Sequence, residues 1–374
     1  MEPSATTSLW LDGVSRSYPP LDGDVTADVA VVGAGIAGIA TAYFLASAGA
    51  KVVVLEARGV AEAASGRNAG FLLAGVAENF VAASRRYGEA NALRIWRFTK
   101  RTQAIARSLV AAHAIDCELR WNGSDQIAGS DEEWREIEES AQRLSTTGVD
   151  VMVDEAARSA TYADDGELHP VKWVRGLAAA AKTKGVRIHE STRVHVVGVG
   201  EARTASGVVR ADAVVLCTNA YTAHLATTRV RPVRGQMLAT APTTRVFARP
   251  AYANRGYQYW RQTSDGRVLV GGWRDTAVDA EVGEEERTTD AVQPQLEAFL
   301  RERRVDAAVT HRWAGTMGFS HDALPYVGRI AAGVFVCGGF TGHGMSFGPA
   351  SAELVAALVR GVSHPDADLF DPMR

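Results

Sequence analysis

Two glycine-rich stretches of this 374-residue sequence carry the residue types that handle charge at close range. In "VVGAGIAG", Gly33, Gly35 and Gly38 form G-x-G-x-x-G. In "VCGGFTGHGMSFGPASAELVAAL", starting at Val336, Gly339, Gly342 and Gly344 surround His343 ahead of a helix-forming tail. The chemistry of the first stretch is phosphate binding. Gly33 allows the tight turn, Gly35 lets backbone approach a pyrophosphate, and Gly38 lets helix and strand pack closely. The helix N-terminus at Ile36 and Ala37 then faces the phosphates. Glu56 ends the next strand about 20 residues on, where a carboxylate bonds ribose hydroxyls and repels a 2′-phosphate. The bland alternative is a tight strand-to-helix turn with no ligand.

The residues after Glu56 separate two dinucleotides. A nicotinamide enzyme normally enters its next helix at once. Here Ala57 and Arg58 lead into "AEAASGRNAGFLLAG", a small-residue stretch from Ala61. A buried FAD wants extended backbone beside it, which puts Ser65, Gly66, Arg67, Asn68, Ala69 and Gly70 along the cofactor. Arg67 either holds flavin charge or binds a surface carboxylate. Thr218 and Asn219 end the "VVLCT" strand, near FAD phosphates or ribose, or as a simple cap. Tyr257, Tyr259 and Trp273 are strand aromatics, candidates for a substrate wall or for plain core; Gln236 and Trp313 are weaker candidates. The nine histidines and three cysteines show no ligand spacing, so no metal is expected.

These residues need elements to position them. "ADVAVVGAGIAGIATAYFLASAG" reads as strand, turn and helix over Asp28–Val32 and Ile36–Gly49, and "KVVVLEA" as the next strand, a βαβ unit of an α/β sheet. A long helix is expected between Glu89 and His113. "SDEEWREIEESAQRLSTTG" reads as an exposed charged helix with Ser130 as cap and Glu133 closing a capping box. "HPVKWVRGLAAAAKTKG" is another helix. "VRIHESTRVHVVGV", which contains Val194, and "ADAVVLCTNA" read as strands returning to the first sheet. "RPVRGQMLATA", "GYQYWRQT" and "RVLVGGWR" read as antiparallel strands, followed by an amphipathic helix near Thr288–Arg301. "GRIAAGVFVCGG" is a late strand pair.

Composition sets outer bounds. The chain is 47% hydrophobic with net charge −3, which suits a globular protein and gives no electrostatic case for nucleic acid. Three cysteines, two in apolar runs, suit reduced thiols in a cytoplasmic protein. "MEPSATTSLWLDG" lacks a signal-peptide pattern, and no apolar run is long enough to span a membrane.

The motifs "VVGAGIAGIATAYFLA…KVVVLEA", "ASGRNAGF", "ADAVVLCTNAYT", "RPVRGQML", "GRVLVGG", "LPYVGRI" and "CGGFTGHGM" together make the sequence resemble the D-amino-acid-oxidase superfamily of FAD enzymes. It is most similar to the branch holding γ-glutamylputrescine oxidoreductase, sarcosine oxidase and glycine oxidase. The resemblance implies an α/β (α+β overall) fold, with a Rossmann-like FAD domain interleaved with a substrate domain on a large mixed or antiparallel sheet. Residues 1–85, 150–228 and 310–374 would form the FAD domain, and 86–149 and 229–309 the substrate domain. It places the late glycine loop beside the isoalloxazine, with Gly315, Met345 and Ser346 also near the cofactor. The final helix would then aim its N-terminus at charge on reduced flavin.

The resemblance implies oxidation of a C–N bond in an amine or amino compound, with O2 or another acceptor taking the electrons. Two alternatives stay open: a 2-hydroxy-acid dehydrogenase, which would use Arg234, Arg261 or Arg274, and a flavin-binding subunit without turnover. The departures from the family pattern matter. Thr316 stands where sarcosine oxidases attach flavin to cysteine, and Arg67 where related dehydrogenases use histidine, implying non-covalent FAD. Leu72 and Ser346 replace the arginine and lysine that hold a substrate carboxylate, which favours an amine or a longer amino compound over sarcosine. Leu269 replaces the lysine linked to oxygen activation.

Overall fold

In the computed structural model, residues 6–374 are described. Residues 1–5, the start of the expected FAD domain, lie outside the described residues. The first strand is Val25–Val32, its last four residues buried, and it pairs in parallel with Val52–Leu55 through the crossover helix Ile36–Ser47. The chain returns to this sheet as expected: Arg187–His189 joins beside Val52–Leu55, and Val208–Leu216 on the other side of Val25–Val32. The late pair Tyr326–Ala331 and Val334–Gly338 extends it, the latter parallel to Val208–Leu216, and Glu201–Thr204 and Val194–Gly198 complete its eight strands as antiparallel additions beside Val208–Leu216. Because Val25–Val32, Val52–Leu55, Val208–Leu216 and Val334–Gly338 run parallel, their C-terminal ends share one edge. Both glycine loops, the loop after Glu56 and the Thr218–Asn219 turn all leave from that edge, where α/β sheets bind ligands.

The second sheet has eight strands. In spatial order they are Val309–Phe319, Arg231–Pro242, Arg267–Gly272, Gln258–Gln262, Ala251–Ala253, Ser124–Ile127, Ser159–Tyr162 and Val151–Asp154. All neighbours are antiparallel except Ala251–Ala253 with Ser124–Ile127. One face packs on the helix Gln293–Glu302, with Leu296, Phe299 and Leu300 against Leu238, Trp260, Val268 and Val270. The other faces the first lobe. By sheet membership, Val151–Asp154, Ser159–Tyr162 and Val309–Phe319 belong to the second sheet, and apart from Val309 they lie outside the ranges 86–149 and 229–309. Val309–Phe319 opens with Thr310, His311 and Arg312, which hide a strand stabilised by its long ladder with Arg231–Pro242.

The helix Asp131–Ser145 corrects a second expectation. It is not an exposed helix: Glu133, Glu136, Ile137, Ser140, Ala141 and Leu144 are buried. Ser130 caps it by accepting from the Glu133 N–H, but the Glu133 carboxylate accepts from Gly129 and Arg255 N–H groups, 2.8 Å each, so the reciprocal half of the box is absent. Tertiary docking thus claims the carboxylates that a charge pattern assigns to solvent. Among the described residues no helix is long and apolar enough to cross a membrane, and no group of three or more His, Cys, Asp or Glu is placed to hold a metal.

Candidate active site

A cavity of about 550 Å³ runs from Glu56 at one end to His343 and the second sheet at the other. At the first loop, Gly33 has φ +103°, and a Cβ there would sit 2.7 Å from the Cys217 carbonyl oxygen. A Cβ at Gly35 would lie 2.8 Å from Ser65 Oγ, which accepts from the Ile36 N–H. Gly33, Gly35, Ile36 and Ala37 line the cavity. Gly38 does not; a Cβ there would overlap the Gly33 carbonyl oxygen, so its role is helix–strand packing. Glu56 accepts from the Ala34 and Arg58 N–H groups at 2.7 Å each, and burial pushes its carboxyl pKa up. Each oxygen keeps a lone pair for a hydroxyl. Ala57, Arg58 and Val194 join it on the wall. Arg58 donates to Glu286 at 2.8 Å and to the Tyr221 hydroxyl at 3.2 Å.

The middle of the wall is Ser65, Arg67, Asn68, Ala69 and Gly70. Asn68 spends its amide on the loop itself, donating to Ala64 and Ser65 carbonyls and accepting from Gly70 N–H at 2.7 Å. Gly66 turns away from the cavity, its carbonyl accepting from Ser8 Oγ. Arg67 contributes its stem to the wall beside Gly315, while its guanidinium pairs with buried Glu286 at 3.0 Å and donates to the Thr6 and Ala314 carbonyls. Of its two sequence readings, the carboxylate partner is the one present, and that carboxylate is buried. Thr218 and Asn219 line the cavity, and Asn219 Oδ1 accepts from Gly339 N–H at 2.9 Å, tying the strand end to the late loop. Gly339 itself lies off the cavity, with φ +75°.

At the far end Gly342, His343, Gly344, Met345 and Ser346 line the cavity at the start of the helix Gly344–Val359. His343 Nδ1–H donates to the Thr341 carbonyl at 3.1 Å, which leaves Nε2 an acceptor; that atom is buried and has no partner among the described residues. Burial lowers the His343 pKa, so the ring is neutral near pH 7. Ser346 and Phe347 N–H groups turn back to the His343 carbonyl, while those of Gly344 and Met345 find no acceptor among the described residues. Facing this end are Phe71, Tyr252 and Tyr259, with ring centroids 5.4 Å apart for Phe71–Tyr252 and 6.0 Å for Tyr252–Tyr259. Tyr252 also meets the His343 ring at 6.0 Å. Burial pushes the Tyr259 hydroxyl up to about 12, so it stays protonated. Tyr257 and Arg274 complete the wall.

Three candidates are elsewhere. Strand alternation from Leu269 and Gly271 aims Trp273 at the cavity, but Gly272 has φ +107° and Trp273 φ +56°. This left-handed step reverses the side-chain direction. Trp273 packs on Phe299 under the helix, and Arg274 takes the cavity position. Gln236 is one residue out of phase with Gly235 and bonds Glu281 at 2.9 Å and Thr289 at 2.6 Å on the opposite face. Trp313 is fully buried, donating to the Arg67 carbonyl. Tyr252 escaped sequence reading because its strand, Ala251–Ala253, is three residues long; the only signal was an aromatic between two alanines.

The residues present fit FAD: a glycine cradle that a Cβ would fill, a carboxylate with free lone pairs, and an orphaned buried nitrogen and two open N–H groups at the opposite end. Comparison with known proteins agrees. The profile of FAD-dependent oxidoreductases matches residues 28–358. The chain is 28% identical to γ-glutamylputrescine oxidoreductase of Escherichia coli (strain K12), over 98% of this chain and 91% of that protein. It is 27% identical to glycine oxidase of Pseudomonas aeruginosa, over 89% and 94%. The crystal structure of glycine oxidase from Geobacillus kaustophilus superposes with a TM-score of 0.79 at 23% identity, covering 94% of this chain and 99% of that one.

Proposed function

This chain belongs to the FAD-dependent oxidoreductase family, and from that premise we propose that it oxidises the C–N bond of an amine or amino compound to an imine, which water then hydrolyses. The observation that carries this reading is the continuity of one cavity from the dinucleotide loop to an aromatic pocket made by Phe71, Tyr252 and Tyr259. Bound FAD supplies a two-electron acceptor for the hydride of the donor carbon. The chain's own residues do the rest. Aromatic walls remove the amine from water and so favour its neutral form, the form whose nitrogen lone pair assists loss of hydride. The unpartnered Nε2 of neutral His343 is the acceptor for the proton that the ammonium sheds. The Gly344 and Met345 N–H groups and the helix dipole behind them stabilise negative charge gained at the cofactor. FAD is held without a covalent bond: Thr316 donates its hydroxyl to the Glu284 carbonyl, and the one cysteine on the wall, Cys217, lies at the pyrophosphate loop.

The test is anaerobic mixing of the flavoprotein with a panel of amines, amino acids and 2-hydroxy acids. Bleaching of the flavin band by amino compounds and not by hydroxy acids is expected. Bleaching by hydroxy acids alone overturns the reading in favour of C–O oxidation. No bleaching by any member leaves a flavin-binding subunit.

A further inference from the structure

We propose that Arg274 holds a carboxylate of the substrate, so that the compound oxidised is an amino carboxylate and not a plain amine; the inference rests on the reading of this cavity as the site of amine oxidation. Among the arginines of the second sheet's region, Arg231 is exposed to solvent; of Arg234, Arg261 and Arg274, which are less exposed, two are spent. Arg234 pairs with Glu281 at 2.8 Å and donates to the Ala280 carbonyl at 2.7 Å. Arg261 pairs with Glu167 at 3.3 Å and donates to the Leu168 carbonyl at 2.9 Å. Of the other arginines of the cavity wall, Arg58 pairs with Glu286, Arg67 with Glu286 and Arg255 with Glu136, while Arg193 and Arg231, which have no ion pair among the described residues, are exposed to solvent. Arg274 lines the same cavity, yet among the described residues it has no ion pair and no hydrogen bond; its neighbours are rings.

Those rings explain how it is held. The guanidinium carbon lies 5.2 Å from the Tyr257 centroid and 4.9 Å from the Phe319 centroid. Aromatic faces attract the cation and fix its plane without using its N–H groups. The N–H fork stays open, and its geometry matches the two oxygens of a planar carboxylate. A half-buried cation without an anion is costly, so the arrangement makes sense with a ligand that supplies one. The backbone points the same way independently. The left-handed step at Gly272 and Trp273 breaks strand alternation at the one place where doing so swaps a tryptophan out of the cavity and an arginine in. Positive φ is uncommon for a residue as bulky as Trp273, and the surrounding packing has to hold it there. Arg274 therefore replaces, from another strand end, the cationic anchors absent at Leu72 and Ser346.

The experiment uses the flavoprotein and the variants Arg274→Gln and Arg274→Lys, each first checked for a parental flavin-to-protein ratio. Anaerobic flavin reduction is monitored with amino carboxylates of increasing chain length and with the matching amines that lack the carboxylate. Arg274→Gln should raise the half-saturating concentration of the preferred amino carboxylate on the order of 100-fold, with the matching amine nearly unchanged. Arg274→Lys should recover part of the loss. A second arm needs no turnover: a short carboxylic acid without an amine is titrated against the bound-flavin absorbance. It should perturb the parent's spectrum with saturation and leave Arg274→Gln unmoved at the same concentrations. Equal losses for carboxylate and amine, or an unchanged half-saturation, overturn the proposal. If no amino compound reduces the flavin while the acid still binds in an Arg274-dependent way, the reaction reading falls and the anion site stands. If the acid titrates parent and variant alike, the anion site falls whatever the reaction.

Discussion

Gly38→Val should yield a protein that purifies without its FAD. A Cβ at this position overlaps the Gly33 carbonyl oxygen and comes within 3.3 Å of the Cys217 Cβ. Backbone cannot rotate away as a side chain can, so the helix Ile36–Ser47 must lift from its strand. Core overpacking alone costs about 1–3 kcal/mol, and here it also moves the first-turn N–H groups that face the pyrophosphate. The absorbance ratio of flavin to protein reads the outcome. A milder companion, Gly35→Ala, separates lost binding from lost folding. Its Cβ meets a Ser65 Oγ that can turn, at 2.8 Å. That protein should fold with a cooperative thermal transition and still lose most of its flavin, because the added methyl occupies the cradle. Full flavin in both variants would remove the first loop as the dinucleotide site.

His343→Ala should leave most flavin bound, since the adenine half keeps Glu56 and the first loop, but should slow anaerobic flavin reduction by substrate about 10²- to 10³-fold. That factor is typical of deleting one positioned polar group beside developing charge, about 2.7–4 kcal/mol. The flavin spectrum should shift as well, because a polar ring at the start of Gly344–Val359 is replaced by a methyl. Burial lowers the His343 pKa, so protonation of the ring, and with it the fall in the parent's reduction rate, should set in at a lower pH than for an ordinary histidine. A neighbouring variant guards the interpretation. At Gly344 a Cβ would make only ordinary contact with Phe340, at 3.7 Å. The protein by itself therefore tolerates alanine there, and flavin lost from Gly344→Ala reports crowding of the cofactor. A His343→Ala protein with parental rate and spectrum makes the histidine structural only.

Which of these features can be read from the sequence depends on the range of the interactions involved. The first glycine loop, Glu56 and the stretch from Ser65 to Gly70 are local, and their geometry comes from turn chemistry within a few residues. Tyr259 comes from alternation along Gln258–Gln262, whereas Tyr257 reaches the cavity from the turn just before that strand and not, as the pattern suggests, from the strand itself. Trp273 and Gln236 show where that reasoning stops. Trp273 lies beyond a left-handed step that reverses the face, and Gln236 sits on a strand whose facing parity is set by its ladders with Val309–Phe319 and Arg267–Gly272. The Asp131–Ser145 helix reads as solvent-facing by charge, yet Glu136 is buried because Arg85 and Arg255 reach it from distant elements. Arg274 was visible as one of three cations. Only the tertiary pairing of Arg234 and Arg261 distinguishes it.

C–N oxidation in the cavity that joins the first loop to the aromatic pocket is tested most directly by the stoichiometry of a single anaerobic turnover. The flavoprotein is mixed without O2 with the amino compound that bleaches it fastest, quenched when bleaching is complete, and assayed for carbonyl product and for the released amine or ammonia. One carbonyl and one released nitrogen per flavin reduced is the expected result. Bleaching without any released nitrogen, or turnover only with a 2-hydroxy acid, would contradict it.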